Sequence, residues 1–291
     1  MATAQQSRIQ PRAEAGPFRN EPATDFSKPE NARRMRDAIE KVRSELGREY
    51  DLVIGATRLR TERKIRSTNP TRPSELVGLH QRAGTEHVEP AMKAALEAFE
   101  SWKHAPAAER AGLIFRAAEL MRERKFELGA WLVFEVGKNW AEADADVAEA
   151  IDFAEMYART ALELAKAEPK VQLPGERDSL AYLPLGVAAV IPPWNFPLAI
   201  MAGMTMAAVV AGNTVILKPS SEAPTIAARF FEILQEAGLP GGVVNFCPGG
   251  GADFGDAVVA HPKTRFIAFT GSKEVGLHIH ESANIKYIFM A

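Results

Sequence analysis

Three things are scarce in this 291-residue sequence: cysteine, net charge and long unbroken apolar runs. The lone Cys247 cannot close an internal disulfide and excludes a four-cysteine zinc site, so the sequence predicts a reducing, cytoplasmic setting. Lys+Arg at 35 against Asp+Glu at 37 leave a net charge of -2. That balance offers nothing to hold nucleic acid or an anionic membrane. Met1 to Asn20 contains Arg8, Arg12 and Arg19 but no apolar segment, which excludes a secretory signal, and Glu14 and Glu21 argue against a mitochondrial presequence. From Ser179 to Leu217 no residue is charged, yet Pro192, Pro193 and Pro197 break the stretch. The helical part left, Leu198 to Ala211, is shorter than the roughly 20 residues a membrane span needs. No Gly-Lys-Ser/Thr phosphate loop occurs, which argues against an ATPase.

What is present is ordinary for a soluble globular protein: 46% hydrophobic and 25% charged residues. At roughly 100–200 residues per domain, the length suggests two modest domains or one large one. Residues 1–30 read as a loose polar arm. Asn31 to Leu46 reads as a helix with Met35, Ile39, Val42 and Leu46 on one face, stopped by Gly47. Short strands are expected over Tyr50–Thr61 and Lys64–Thr68. Three helices follow, marked by Met92, Leu96, Phe99 and Trp102, then Leu113, Ala117 and Leu120, then Val147, Ile151, Ala154, Ala158, Ala161 and Ala165. The acidic residues Glu142, Asp144, Asp146, Glu149, Asp152 and Glu155 lack the glycine of a calcium loop and read as a solvated helix face.

From Val171 the pattern changes. Val171–Leu173 and Ser179–Leu183 read as two strands around Pro174-Gly175. Apolar strands then alternate with helices: Val187–Ile191, Thr214–Leu217, Val243–Phe246 and Phe266–Phe269, separated by helical stretches at Leu198–Ala211, Thr225–Ala237 and about Ala252–Ala260. Strands that are apolar throughout, alternating with helices, predict an α/β fold of Rossmann-like type, a parallel sheet of four strands with helices on both faces.

In such a sheet ligands bind beyond the carboxyl ends of the strands. The first strand ends in Ile191-Pro192-Pro193-Trp194-Asn195-Phe196-Pro197, where Asn195 either brackets the turn or offers a rigid donor to a substrate oxygen. The second ends in Lys218-Pro219-Ser220-Ser221, either ribose-binding or simply solvated. The run Gly249 to Gly255 nearly gives a phosphate fingerprint, but its last glycine comes one residue late. After the fourth strand, Gly271 and Ser272 would open a helix whose free N–H groups attract a pyrophosphate.

Taken in order, Pro-Trp-Asn-Phe-Pro, Lys-Pro-Ser, the glycine run and Phe-Thr-Gly-Ser resemble the NAD(P)-dependent aldehyde dehydrogenase superfamily. Phe18-Arg19-Asn20-Glu21-Pro22, Val136-Gly137-Lys138-Asn139-Trp140 and Glu149-Ala150-Ile151-Asp152-Phe153 narrow the match to its L-glutamate gamma-semialdehyde (1-pyrroline-5-carboxylate) dehydrogenases of proline breakdown. The resemblance runs from about Gly16 to Ala283. It implies NAD as cofactor, a small aldehyde substrate and a homo-oligomer. It places Asn195 as the donor that stabilises the oxyanion, a role worth roughly 2.7–4 kcal/mol of barrier. By the same match Ile191, Pro192 and Trp194 form the wall beside the nicotinamide ribose, and Lys218 and Ser220 contact the adenosine ribose. Gly251, Gly255, Phe269, Gly271 and Ser272 would form the pyrophosphate and adenine shelf. Many NAD-only relatives have Glu where Ser221 stands, so NADP stays open.

The family reaction also needs a cysteine nucleophile and a glutamate base. The resemblance puts both downstream of Phe-Thr-Gly-Ser, where Asn284 to Ala291 no longer match. The expected organisation is therefore an arm and helix over 1–49, a cofactor domain over 50–283 with an oligomerisation flap at 168–184, a divergent tail over 284–291, and no catalytic domain. Cys247 reads as a core thiol, Glu127-Leu128-Gly129-Ala130 as a chance likeness to the base motif at the end of a helix, and His278 and His280 as a poor metal pair. A bare sheet edge is expected where a fifth strand would lie. Two functions follow from this reading: the cofactor-binding part of such a dehydrogenase, or a non-catalytic NAD-binding or interacting protein.

Overall fold

The computed structural model describes residues 16–166, 171–283 and 287–290. In chain order it contains α1 (Pro29–Glu45), β1 (Arg48–Tyr50), β2 (Leu52–Ile54), β3 (Thr57–Leu59), β4 (Lys64–Asn69) and β5 (Arg72–Gln81). Four helices come next: α2 (Val88–Trp102), α3 (Ala107–Glu123), α4 (Lys125–Val136) and α5 (Trp140–Leu164). The second half runs β6 (Val187–Ile191), α6 (Ala199–Val210), β7 (Thr214–Leu217), α7 (Pro224–Glu236), β8 (Val244–Phe246), α8 (Asp256–Ala260), β9 (Thr264–Phe269), α9 (Lys273–Ser282) and β10 (Tyr287–Met290).

The strand alternation explains why the central sheet reads as unbroken apolar sequence. Ala188 and Val190 of β6, Val215 and Leu217 of β7, and Phe266 and Ala268 of β9 enter one core. Helices α3 to α7 cover that core through residues such as Leu120, Trp131, Ile151, Met206 and Phe230. The residues between them, Val187, Ala189 and Ile191, Ile216, and Ile267 and Phe269, point the other way. There they meet Met92 of α2, Val258 of α8 and Ile279 of α9. Both faces are covered, so the buried positions of β6, β7, β8 and β9 are apolar on both faces but for Thr214, Asn245 and Thr264.

The sheet has seven strands in the order β10-β9-β6-β7-β8-β2-β3. Its first five are parallel, and β2 joins β8 antiparallel, closing a hairpin with β3 at Gly55. The expected sheet of four strands is thus one parallel strand short. The tail supplies the fifth: Tyr287 to Met290 pair in register with Phe266 to Phe269. That β9 edge is covered, not bare as expected, because Tyr-Ile-Phe-Met is uncharged and rich in the residue types that favour extended backbone.

Other expectations also give way. Tyr50–Thr61 holds the end of β1 and all of β2 and β3, and Arg72–Gln81, over which no strand is expected from the sequence, is the longest strand described. It pairs with β4 and β1 in a separate three-stranded sheet. Four helices stand where three were read. Arg124 breaks α3 from α4 by its backbone angles alone, with no proline or glycine to announce it. Glu127 accordingly lies in the first turn of α4, not at the end of a helix. Among the described residues, 171–183 form no strand pair; a turn at Gly175 and two bonds between Gln172 and Asp178 hold them. The loose-arm reading of residues 1–30 gives way in its second half, where Asn20, Glu21 and Thr24 are bonded to α5 and Pro29 begins α1; residues 1–15 lie outside the described residues. No helix among the described residues is long and apolar enough to cross a membrane.

The acidic face of α5 is the largest departure. Asp144, Asp146 and Glu155 are buried, not solvated. Asp144 pairs with Lys125 at 3.1 Å and accepts from the Thr24 amide at 2.8 Å. Glu155 pairs with Arg122 at 2.7 Å, and Asp152 accepts from Asn20 and from the Glu21 amide. These carboxylates strap residues 20–24 along the helix. Burial without such partners would cost several kcal/mol per charge.

Candidate active site at the strand ends

Backbone bonds bring the carboxyl ends of four parallel strands to one level. Lys218 N donates to Val190 O at 3.0 Å, Cys247 N to Leu217 O at 2.9 Å and Thr270 N to Ile191 O at 3.3 Å. The turns that follow these strands therefore share one rim of the sheet.

On the turn after β6, Ile191 and Pro192 are buried while Trp194, Asn195 and Phe196 face solvent. Asn195 is not the buried amide its apolar neighbours suggest. Its Oδ1 accepts from the Phe196 amide at 3.1 Å, and among the described residues its Nδ2 donates to nothing. The carboxamide thus turns its oxygen toward the backbone and leaves its N–H groups free.

This turn is held from α5 and the loop before it. Helix α6 has no capping side chain of its own; its start is capped by Asp146, whose Oδ1 accepts from Ala199 N at 2.7 Å. The other Asp146 oxygen lies 3.0 Å from Lys138 Nζ. That ammonium sits 3.9 Å from the centre of the Phe196 ring. Sequence reasoning missed both residues as site elements, although one signal was available. Asp146 falls at helical spacing between Ala143 and Ala150, on the buried stripe of α5.

The turn after β7 places Lys218 under the glycine run. Its Nζ is buried and donates to Pro219 O and Gly249 O, each at 3.3 Å. Burial pulls its pKa down to about 8, with Asp253 and Asp256 opposing the shift. Three donors with two long acceptors leave this cation under-satisfied. Ser220 Oγ accepts from Glu222 N at 3.2 Å, and Ser221 is half-buried beside it.

The late glycine of the fingerprint has a local cause. Gly251–Gly255 forms a π turn, closed by Gly255 N donating to Gly250 O at 2.9 Å, and this wider turn absorbs the additional residue. A side chain at Gly249 would meet Phe254 Cβ at 2.9 Å and Ala83 O at 3.0 Å, whereas one at Gly251 would meet nothing within 4 Å. Gly249 serves packing; Gly251 borders open space. Beyond β9, Phe269 is buried, Gly271 lies against its ring, and Ser272 caps α9 by accepting from Val275 N at 3.3 Å.

Cys247 also sits at this rim but points inward. It is fully buried in the core under α2 and α8, and burial pushes its thiol pKa well above the ordinary range. His278 pairs with Asp256 at 3.0 Å. Among the described residues no group of three or more His, Cys, Asp or Glu side chains could hold a metal ion.

A doubly wound sheet with a glycine turn, an under-satisfied lysine and capped helix starts at one rim defines a nucleotide-binding class of α/β protein. Residues 58–290 match the model of the aldehyde dehydrogenase family, and the chain belongs to that family. It is similar to 1-pyrroline-5-carboxylate dehydrogenase of Geobacillus thermodenitrificans (strain NG80-2), 54% identical over 267 residues, which are 92% of this chain and 52% of the relative. Its fold is similar to that of 1-pyrroline-5-carboxylate dehydrogenase from Thermus with bound NAD, at 50% identity and a TM-score of 0.92, over 95% of this chain and 55% of the other. Proline utilization A from Bdellovibrio bacteriovorus is similar at 42% identity and a TM-score of 0.92, over 95% of this chain and 30% of that one. The chain spans about half the length of the curated relatives it matches.

Proposed function

We propose that this chain is the cofactor-binding part of an NAD(P)-dependent dehydrogenase that oxidises L-glutamate gamma-semialdehyde to L-glutamate in proline breakdown. The observation that carries the reading is the rim itself: Asn195, Lys218, Gly251 and Ser272 stand together at the strand ends. The relatives' names supply the substrate class, and the Thermus relative's bound NAD the cofactor.

The residues present suit such a ligand on two counts. Lys218 has a donor to spare for a ribose hydroxyl, and Gly251 leaves room where a side chain would intrude. The nicotinamide, when bound, supplies the hydride acceptor. Ile191, Pro192 and Trp194 then wall the ribose beside it, and Phe269, Gly271 and Ser272 with Gly255 shelve the rest. Asn195 directs its free Nδ2–H groups at the aldehyde oxygen, where negative charge develops during attack. Ser221 puts no carboxylate against a 2'-phosphate, so NADP is accepted as well.

These residues alone are not expected to turn the aldehyde over. The only thiol is Cys247, and its burial and raised pKa remove it as nucleophile. A second reading, a non-catalytic NAD-binding or interacting protein, draws support from the exposed Val171, Leu173, Tyr182 and Leu183, a surface suited to a second copy of the chain. Supplying NAD and the semialdehyde and following NADH tests the first reading. Binding without turnover is expected, and turnover abolished by Cys247→Ala would overturn it.

A further inference from the structure

Asp146 and Lys138 lie outside the rim, yet the hydrogen bond, ion pair and ring contact they make lead to it. Asp146 Oδ1 holds the first amide of α6, Ala199 N, at 2.7 Å. Its Oδ2 holds Lys138 Nζ at 3.0 Å, and that ammonium lies 3.9 Å from the Phe196 ring centre. Phe196 in turn gives its amide to Asn195 Oδ1 at 3.1 Å. Four residues thus form one line from a fully buried carboxylate to an exposed carboxamide.

The chemistry of the line is specific to a cation. Asp146 is fully buried and Lys138 is nearly so, and a lone buried carboxylate would be strongly destabilising. Lys138 neutralises it while offering its remaining face to an aromatic ring, a desolvated cation–π contact. The ring is otherwise exposed and stands on a turn whose helix has no cap of its own. Pro197 fixes the backbone on one side, and Pro192 and Pro193 on the other. Between them the Trp194–Phe196 segment is held at its backbone by Ile200 N, which donates to Phe196 O at 3.3 Å, and at its ring by the ammonium.

We infer that Lys138 and Asp146 are positioning residues for Asn195: the ion pair seats the Phe196 ring, and the seated Phe196 amide holds the Asn195 oxygen inward so that its N–H groups face the reacting oxygen. The role assigned to Asn195 rests on the proposed function, but the geometry of the line does not.

The test reads the carboxamide directly, by the side-chain 15N–1H resonances of Asn195 in the whole chain, assigned through their loss in Asn195→Ser. In Lys138→Met, similar in length but uncharged, the pair is expected to shift onto the signals of solvated asparagines, its order parameter falling below about 0.6. Lys138→Arg restores dispersion and order. Lys41→Met, which removes a surface pair with Glu127, leaves both unchanged. Should Lys138→Met fail to fold, Phe196→Leu removes the ring while keeping the ion pair, and is expected to release Asn195 in the same way. Unchanged Asn195 resonances in Lys138→Met or in Phe196→Leu overturn the inference. Failure of the unmodified chain to bind NAD would instead overturn the proposed function and leave this result standing.

Discussion

His80 Nε2 lies 2.9 Å from Thr225 Oγ1, and the imidazole stacks on the Tyr50 ring with centres 4.7 Å apart and planes within 6°. The histidine belongs to the small sheet and the threonine to the start of α7, so this contact ties the two sheets' layers together. Among the described residues the other ring nitrogen, Nδ1, has no hydrogen-bond partner. Burial therefore lowers the His80 pKa to about 3.

That shift sets a pH dependence. Between pH 6.5 and about 3 the unfolded histidine is protonated and the folded one is not, so the unfolded state binds more protons. The associated stability is present above pH 6.5 and is lost as pH falls through that window, with a slope on the order of 1 kcal/mol per pH unit. Urea unfolding at a series of pH values should show the slope, and His80→Gln should flatten it.

Lys218 makes the opposite end of the range informative. Its folded pKa of about 8 lies below the ordinary lysine value of 10.5, so the unfolded state binds the extra proton between these values. Stability from this group rises with pH from about 8 to 10.5. Lys218→Met should be more stable than the parent at pH 7 and should lose that rise, while binding NAD more weakly. A site that trades stability for ligand binding is expected to behave in this way.

Glu135 is fully buried and accepts from Ser67 Oγ, Thr225 N and Ile226 N, capping α7 from α4. Removing it leaves two helix-start amides unpaired in the core. Glu135→Ala should lower unfolding stability by about 2–3 kcal/mol. Glu135→Gln, which keeps an acceptor, should lose less, as equilibrium denaturation would measure.

Cys247 should behave as a core residue. In the native protein it should resist a thiol reagent, its labelling rate following the fraction unfolded as urea is added. Rapid labelling of the folded chain would contradict its burial.

What could be read in the sequence, and what could not, divides along local and non-local lines. β6 and β7 were legible residue for residue, because strands covered on both faces read as apolar runs, broken here only by Thr214, and the turns after them were legible from proline, glycine and a terminal lysine. The fate of α5's acids was not. Asp144, Asp146 and Glu155 are buried only because Lys125, Lys138 and Arg122 reach them, and charge alone cannot announce a distant partner. Glu135 escaped for the same reason: its donors Thr225 and Ile226 are 90 and 91 residues away. β10 escaped because a short apolar tail becomes a strand only when β9 offers it an edge. At the rim, the identities of the candidate residues were legible, while the orientation of Asn195 depended on contacts that its neighbours in sequence do not reveal.

The central claim is that this chain holds NAD at the rim of the sheet, and calorimetric titration of NAD tests it most directly. Gly251→Leu is the informative variant, because the fold leaves open space at that position and the substitution should not disturb folding. The prediction is one saturable site in the parent, weakened by about tenfold or more (~1.4 kcal/mol) in Gly251→Leu at an unchanged melting temperature. No saturable binding by a monodisperse parent, or equal affinity in the two proteins, would contradict it.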